Sequence, residues 1–122
     1  MAIYQSGEDY LEKILMLNER LGYARSMDIA SELKVSKPSV SIAVKKLRED
    51  GYVEMDNNGH ISLTPEGRKI AERIYDRHKV LSALLRKLGV SDETAALDAC
   101  KMEHVVSDET FSAMCRYVHK SL

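Results

Sequence analysis

Cysteine is scarce in this sequence, and both a long apolar run and an excess of positive charge are absent. Two cysteines in 122 residues are too few for a disulfide scaffold and favour a reducing compartment. No stretch approaches the roughly 20 apolar residues that span a bilayer, and no basic-then-apolar export signal opens the chain. A net charge of −1 excludes a globally basic coat for nucleic acid but permits a local basic patch. We therefore expect a cytoplasmic protein without a membrane partner.

The remaining composition fits a small folded protein. Apolar residues make up 44% of the chain and charged residues 30%, so the chain can bury a core and is not disordered. A length of 122 residues suits one compact domain with an appendage and excludes a large two-domain enzyme.

Apolar residues recur at helical spacing over residues 6–51 and predict three helices, with Ser6, Ser26 and Ser36 as the candidate caps at their N-termini. In the third helix Val40, Val44 and Leu47 are expected to face the core. Apolar and polar residues then alternate on both sides of a turn-forming Asp-Asn-Asn-Gly segment, which predicts a β-hairpin over 52–63. The Thr64-Pro65 pair begins a long helix that ends at Gly89. Three helices, a hairpin and a long helix are typical of a winged helix-turn-helix. We therefore predict a mainly α fold whose DNA-binding domain covers residues 1–64, with the hairpin as its wing.

Two short helices follow, and we assign residues 65–122 to a linking helix plus helices for metal binding and dimerisation. The segment Val-Ser-Asp-Glu-Thr occurs at 90–94 and again at 106–110, each time supplying a serine N-cap and first-turn carboxylates. The helices are expected over 92–105 and 108–120. This pair is too small for a core of its own, which predicts a homodimer interface. Its apolar stripe consists of Ala95, Ala99, Met102 and Val106.

The third helix and the turn before it carry five basic residues and no acidic residue between Lys34 and Arg48, a net +5 in a chain of net −1. A helix that enters the major groove needs small or apolar side chains near its N-terminus and cations that reach phosphates. No Arg, Asn or Gln precedes Arg48 on this helix, so we expect reading by thymine methyls, hydroxyls and DNA shape. The alternatives are a solvated lysine-rich face and a protein-binding winged helix. The predicted DNA contacts are Lys37, Pro38, Ser39, Ser41, Ile42, Lys45 and Lys46.

Cys100, Glu103 and His104 lie at i, i+3 and i+4 of the predicted fifth helix and share one face, away from its apolar stripe. The alternative is a solvated Glu–His pair beside a partly buried cysteine. Thiolate, carboxylate and imidazole are all metal-ligand types, however, and packing does not require that combination. The three residues therefore predict a metal site.

Three further candidate ligands lie on earlier helices. His78 is a titratable residue in the apolar stripe of the long helix, where the alternative is a hydrogen-bonded core histidine. Asp9 and Glu12 lie at i and i+3 on the first helix. The alternative for this pair is a capping box that starts at Ser6, with carboxylates that suit the helix dipole. Taken separately, neither observation identifies a metal site.

On these residues the chain resembles the iron- and manganese-dependent repressor family, of the diphtheria toxin repressor and manganese transport regulator type. The similarity runs in order through nearly the whole chain, so it is more specific than any single motif. It implies a winged-helix DNA-binding domain, a helical dimerisation domain and a metal site that joins them. The matching segments are Glu8–Glu12, Gly22–Arg25, Asp28–Ala30, Pro38–Ser41, Leu63–Gly67, Arg77-His78, Leu88–Val90 and Cys100-x-x-Glu103-His104.

The resemblance also implies roles for residues. It implies that Pro38, Ser39 and Ser41 approach DNA, and Arg25 and Ser36 are expected as further DNA contacts. The length resembles the short manganese regulators, which lack the extra β-barrel domain of the longer iron regulators. Asp9 is the manganese-type residue at its position and Cys100 the iron-type residue, which implies Mn²⁺ or Fe²⁺ with Co²⁺ or Zn²⁺ as substitutes. The implied ligands, around a two-metal cluster, are Asp9, Glu12, His78, Cys100, Glu103 and His104.

We therefore expect a homodimeric repressor that binds double-stranded DNA at palindromic operators and controls metal-homeostasis genes. A cation held by both halves would fix the spacing of two recognition helices, about 34 Å or a multiple of one DNA turn. One alternative is a winged-helix regulator that responds to a non-metal ligand. Another is a metalloenzyme with Glu103 as general base, which the number of ligands and the lack of a nucleophile–base pair disfavour. No catalytic residue is expected.

Overall fold

The structure, a computed structural model, describes residues 5–121 and the side chains of residues 6–119. Within that range it confirms the predicted mainly helical fold, a winged helix-turn-helix followed by further helices. No helix in the described range combines the length and apolarity needed to cross a membrane. The elements are α1 Gln5–Leu21, α2 Ser26–Leu33, α3 Lys37–Glu49, β1 Val53–Met55, β2 Ile61–Leu63, α4 Pro65–Lys87, α5 Asp92–Met102 and α6 Asp108–Ser121.

The chain divides into two compact units, and the boundary between them lies within α4. The first unit extends to Glu72 and the second begins at Arg73. The start of α4, residues 65–72, therefore groups with the winged-helix elements, and the rest of that helix groups with α5 and α6.

A buried stripe and a serine cap position α3 in the first unit. Val40, Val44 and Leu47 are buried, as predicted, where α3 contacts α1, α2 and β1. The Ser36 hydroxyl accepts a hydrogen bond from the Ser39 backbone N–H at 3.2 Å, which confirms Ser36 as the N-cap. The opposite face of α3 is therefore left to solvent.

The first two helices begin earlier than N-caps at Ser6 and Ser26 would predict. Ser6 lies inside α1, whose described part starts at Gln5, so the capping-box interpretation of this helix is wrong. In α2 the N-cap is Arg25, and Ser26 is the first helical residue. The Asp28 carboxylate accepts a hydrogen bond from the Arg25 backbone N–H at 3.2 Å, which stabilises the helix start at that position.

The wing is a short antiparallel hairpin, as predicted, with Val53 opposite Leu63. The Asp56 carboxylate closes its turn by accepting hydrogen bonds from the backbone N–H groups of Asn58 at 2.8 Å and His60 at 2.9 Å. The His60 N–H above all, helped by that of Asn58, holds the pKa of Asp56 below its usual value. The hairpin turn is thus stabilised by a carboxylate in its ionised form.

A glycine is required where the wing meets α4. Thr64 is the N-cap of this helix, because its hydroxyl accepts a hydrogen bond from the Gly67 N–H at 3.1 Å and donates one to Gly51 O at 2.7 Å. The Thr64 N–H donates to Tyr52 O at 3.0 Å. A Cβ on Gly67 would lie 2.0 Å from that same Tyr52 oxygen. The close approach of backbone to backbone at this junction therefore admits no side chain.

The second unit confirms both serine caps but shortens α5. Ser91 accepts a hydrogen bond from the Thr94 N–H at 3.3 Å, and Ser107 accepts one from the Thr110 N–H at 3.1 Å. The helix ends at Met102 instead of 105, and Glu103 is its C-cap with helical backbone angles (φ −59°, ψ −23°). The prediction that Cys100, Glu103 and His104 share one helical face is therefore wrong for His104, which lies beyond the helix. The chain must turn before Ser107 can cap α6, and the β-branched pair after His104 does not favour further helix.

The predicted dimer stripe is also wrong in part. Ala95 and Ala99 are fully buried within the chain, so they cannot form a surface for a second copy. Short side chains let a helix approach its neighbours closely, and periodicity alone does not distinguish that use from a subunit interface. The exposed large apolar side chains in the described part of this unit are Leu88, Leu97, Val105 and Tyr117.

Candidate functional site

The solvent face of α3 carries every DNA contact that was predicted for this helix. Ile42 is 72% exposed, which is unusual for an isoleucine in the middle of a helix. The hydroxyls of Ser36 and Ser39 lie 2.8 Å apart at the helix N-terminus, where backbone N–H groups and the helix dipole favour a phosphate. The exposed residues of this face are Lys37, Pro38, Ser39, Ser41, Ile42, Lys45 and Lys46.

An open groove runs beside this face. Ser41, Lys45 and Arg48 line it from α3, and Glu54 lines it from β1. Arg48 belongs to the basic segment but was not among the predicted DNA contacts. Its exposed position beside Lys45 makes it a further cation available to a phosphate.

Arg25 is held against the turn of the wing. Its Nη2 atom lies 3.1 Å from His60 Nε2, and its guanidinium lies 5.5 Å from the centre of the Tyr23 ring. The Tyr23 and His60 rings stack, with centres 5.2 Å apart. The exposed Arg25 predicted to contact DNA is therefore restrained by two aromatic rings. The contacts of Tyr23 and His60 with Arg25 were not predictable from local patterns, because Tyr23 and His60 are far apart in sequence.

The two candidate ligands of α1 are not surface carboxylates. Asp9 is half-buried, and Glu12, one turn further on, is only 5% exposed. Withdrawing a carboxylate from water is costly unless a cation or hydrogen bonds compensate for the lost hydration. Burial of Glu12 therefore argues against the interpretation of this pair as dipole-stabilising surface groups.

In the second unit, Glu103 lies between two imidazoles. Its side chain is 0% exposed, with Oε2 at 3.0 Å from His78 Nδ1 and Oε1 at 3.5 Å from His104 Nε2. The His104 side chain is also buried. The alternative of a solvated Glu–His pair is therefore wrong. His78 was predicted from the stripe of α4, and the structure shows that its ring meets a carboxylate.

Cys100 completes this group. It lies on α5, one turn before Glu103, and its sulfur is within 4.8 Å of a Glu103 carboxylate oxygen. The residue is exposed rather than partly buried. Glu103 is thus the common neighbour of His78, Cys100 and His104. Two imidazole nitrogens, a carboxylate and a thiol are a donor set that fits a divalent transition-metal ion.

Family models cover almost the entire chain. Residues 3–61 match the iron-dependent repressor N-terminal DNA-binding domain. Residues 64–121 match the iron-dependent repressor metal-binding and dimerisation domain. The two matches contain α3 and the Glu103 group respectively.

Individual relatives agree with these matches. The chain is 44% identical to the HTH-type transcriptional regulator MntR of Geobacillus kaustophilus over 102 residues, which are 84% of this chain and 72% of the relative. It is 29% identical to T. acidophilum IdeR (TM-score 0.83, 96% of this chain). It is 30% identical to the manganese regulator SloR (TM-score 0.81, 98% of this chain). The chain spans 55% of the length of each of these two solved proteins.

Each of the two family-model segments contains one of the two groups of side chains described above. The DNA-binding model contains the basic, exposed face of α3, and the metal-binding model contains the buried carboxylate with its imidazole and thiol neighbours. This chain therefore belongs to the iron-dependent repressor family, whose members are dimerising, metal-dependent DNA-binding regulators of transcription and not enzymes.

Proposed function

We propose that this chain is a repressor activated by Mn²⁺ or Fe²⁺, which binds palindromic double-stranded DNA as a homodimer in the cytoplasm and controls metal-homeostasis genes. The observation that carries the proposal is the Glu103 carboxylate, fully buried beside the imidazoles of His78 and His104. Carboxylate oxygen and imidazole nitrogen are the donors that Mn²⁺ and Fe²⁺ take from proteins. The proposed ligands are Asp9, Glu12, His78, Cys100, Glu103 and His104.

Asp9 and Glu12 belong to the DNA-binding segment, and the other four ligands belong to the metal-binding and dimerisation segment. Ligands shared in this way would fix how the dimer presents its two copies of α3. Two recognition helices read one palindrome only when they lie about 34 Å apart, or a multiple of one turn. In the absence of a cation, neighbouring carboxylates repel one another and favour other arrangements.

The strength of such a switch has a limit. At a metal concentration about 100 times the Kd, binding stabilises the competent state by at most about 2.7 kcal/mol for each independent site. Only the difference in metal affinity between competent and incompetent states shifts their populations. Two subunits then make a change in DNA affinity of about 100-fold or more attainable, and DNA must tighten metal binding by the same factor.

The donor types support Mn²⁺ and Fe²⁺ over Mg²⁺, because imidazoles and a thiol accompany the carboxylates. Asp9 is a hard donor that suits Mn²⁺, whereas the Cys100 thiolate favours Fe²⁺, Co²⁺ or Zn²⁺. The two oxygens of Glu103 face different imidazoles, Oε2 toward His78 and Oε1 toward His104. A carboxylate with this arrangement can bridge two ions, which supports a binuclear site.

A DNA-binding experiment with a matched pair of variants tests the proposal. The probe is a pool of random DNA duplexes, selected and then titrated by mobility shift with Mn²⁺, with Fe²⁺ under anaerobic conditions, or with a chelator. Glu103→Gln removes the buried charge, and Glu93→Gln changes an exposed carboxylate in the first turn of α5. We expect wild type and Glu93→Gln to gain about 100-fold in DNA affinity with metal, and Glu103→Gln to gain none.

Two results would overturn the proposal. Wild-type DNA binding that neither metal nor chelator changes would leave a regulator that responds to a non-metal ligand. A folded Glu103→Gln dimer with the full metal response would remove Glu103 from the ligand set.

A further inference from the structure

Arg77 is a buried cation that belongs neither to the proposed metal ligands nor to the proposed DNA contacts. It lies on α4, immediately before His78, and is 4% exposed. Its guanidinium donates hydrogen bonds to Glu103 O at 3.3 Å, to Val106 O and to the Asp108 carboxylate. It also lies over the Phe111 ring, 5.1 Å from the ring centre.

These partners surround one short segment, the turn of residues 103–107 between α5 and α6. Glu103 O and Val106 O are carbonyls of the turn itself, and Asp108 is the first residue of α6. Carbonyls that follow the last turn of a helix lack intrahelical partners and need donors from elsewhere. A guanidinium supplies several donors in a fixed planar fork, so one arginine can hold several acceptors at set positions. Arg77 therefore fixes the backbone of this turn.

The same turn carries two of the proposed metal ligands. Arg77 holds the main-chain carbonyl of Glu103, while the neighbouring His78 meets its side-chain carboxylate at 3.0 Å. Consecutive helical residues point about 100° apart, so α4 contacts Glu103 from two directions. His104 is attached to the same restrained backbone.

We infer that Arg77 is a positioning residue for metal binding, which fixes Glu103 and His104 through the backbone of their turn. The inference rests on the proposed function, since it assumes that these two residues are ligands. Groups that orient ligands without touching the ion typically contribute about 10- to 100-fold to metal affinity. A change at Arg77 should therefore weaken metal binding while every proposed ligand remains present.

The central test is Arg77→Lys, which keeps the charge but loses the planar fork. We expect about a 10- to 100-fold loss of Mn²⁺ affinity in an EPR titration. An altered Co²⁺ absorption spectrum and faster amide hydrogen exchange over residues 103–107 in the metal-free protein should accompany it. The matched control is Lys79→Met, which removes an exposed cation two positions along α4 and should leave all three measurements unchanged. The exchange measurement needs no metal, and an arginine that served overall stability alone would lower Tm without changing the Co²⁺ spectrum.

A second variant keeps the inference testable if Arg77→Lys does not fold. Asp108→Ala removes one partner, whose side chain is 90% exposed, and retains both carbonyl contacts. We expect a smaller loss of Mn²⁺ affinity with faster exchange in the turn, and no change in either would overturn the inference. A folded Arg77→Lys with wild-type Mn²⁺ affinity would also overturn it and leave the proposed function intact. Wild-type protein that binds no Mn²⁺ or Fe²⁺ would instead overturn the proposed function.

Discussion

His78 and Glu103 lie 25 positions apart in the chain, and His78 Nδ1 is 3.0 Å from Glu103 Oε2. The imidazole comes from the middle of α4, and the carboxylate comes from the C-cap residue that follows α5. Neither helix alone gives either residue an evident function. Their contact provides a nitrogen and an oxygen donor at hydrogen-bonding distance, with the carboxylate inaccessible to water.

His78→Gln should impair metal binding. Glutamine keeps a polar side chain on α4 but lacks an imidazole nitrogen, so the site loses one donor. Because His78 is a proposed ligand, we expect a loss of Mn²⁺ affinity above the roughly 10- to 100-fold that outer-shell changes cost, measured by calorimetric titration. The control is His119→Gln, an exposed histidine near the end of α6, which should bind Mn²⁺ as wild type does. Equal affinities in the two variants would contradict the assignment of His78.

Lys45→Ala should weaken DNA binding without regard to sequence. Lys45 is exposed on α3 beside the groove, where its ammonium can neutralise one phosphate. The slope of log K against log salt should fall by about 0.9, the value for one phosphate contact. Lys101→Ala, which changes an exposed lysine on α5, should leave the slope unchanged. An unaltered slope for Lys45→Ala would exclude a phosphate contact by this lysine.

Ile42→Ser should reduce sequence preference and leave non-specific binding intact. The side chain is 72% exposed on α3, so its loss removes no core contact. If it packs against thymine methyls, each apolar carbon that loses contact costs about 0.8 kcal/mol. Competition between a selected duplex and thymine-to-uracil versions of it measures this loss. At one position, wild type should bind the uracil duplex more weakly than the thymine duplex. Ile42→Ser should bind those two duplexes equally well.

Gly67→Ala should destabilise the wing–α4 junction. The new Cβ would lie 2.0 Å from Tyr52 O, a backbone atom that Thr64 also contacts, so the backbone has to move. Overpacking of this kind costs about 1–3 kcal/mol or more, measured by denaturant unfolding. Glu66→Ala, at the exposed neighbouring position, should stay within about 0.5 kcal/mol of wild type. A stable Gly67→Ala protein would show that the junction relaxes easily.

The wing should loosen in acid. The pKa of Asp56 is lowered from its usual 3.8, first by the His60 backbone N–H. A lowered folded-state pKa gives stability that is present above the unfolded-state value and is lost as the pH falls through the folded-state value. NMR shifts of the Asn58 and His60 amides should therefore titrate together below pH 3.8. Asp56→Asn should abolish that titration, and amides that titrate at the ordinary value would contradict the prediction.

Local chemistry was predictable from the sequence. Ser36, Ser91 and Ser107 were predicted as N-caps and act as such, because a cap depends on the next three residues only. The prediction that Val40, Val44 and Leu47 face the core was correct, because helical periodicity places all three on one face of α3. The prediction of a cap at Ser6 was wrong, because a helix can extend through a serine when the residues before it are compatible with helix.

Tertiary relationships were predictable only in part. The ligand types at 100, 103 and 104 were recognised, but their burial and the end of α5 at Met102 depend on neighbours that spacing does not specify. Ala95 and Ala99 are buried within the chain, although an apolar stripe looks the same when it faces a second copy. Arg77 lies in one of the segments on which the family resemblance was based, yet its proposed role follows only from the carbonyls that it contacts.

The early end of α5 affects which ions the protein can accept. Glu103, the C-cap of α5, keeps helical backbone angles, whereas His104 lies beyond the helix, so the position of the His104 donor atom is set by the turn and not by the 3.6-residue repeat. Arg77 restrains the torsions of this turn through the carbonyls of Glu103 and Val106. A donor set held in this way is expected to discriminate among ions by radius as well as by donor softness, within the ions that are available around the protein.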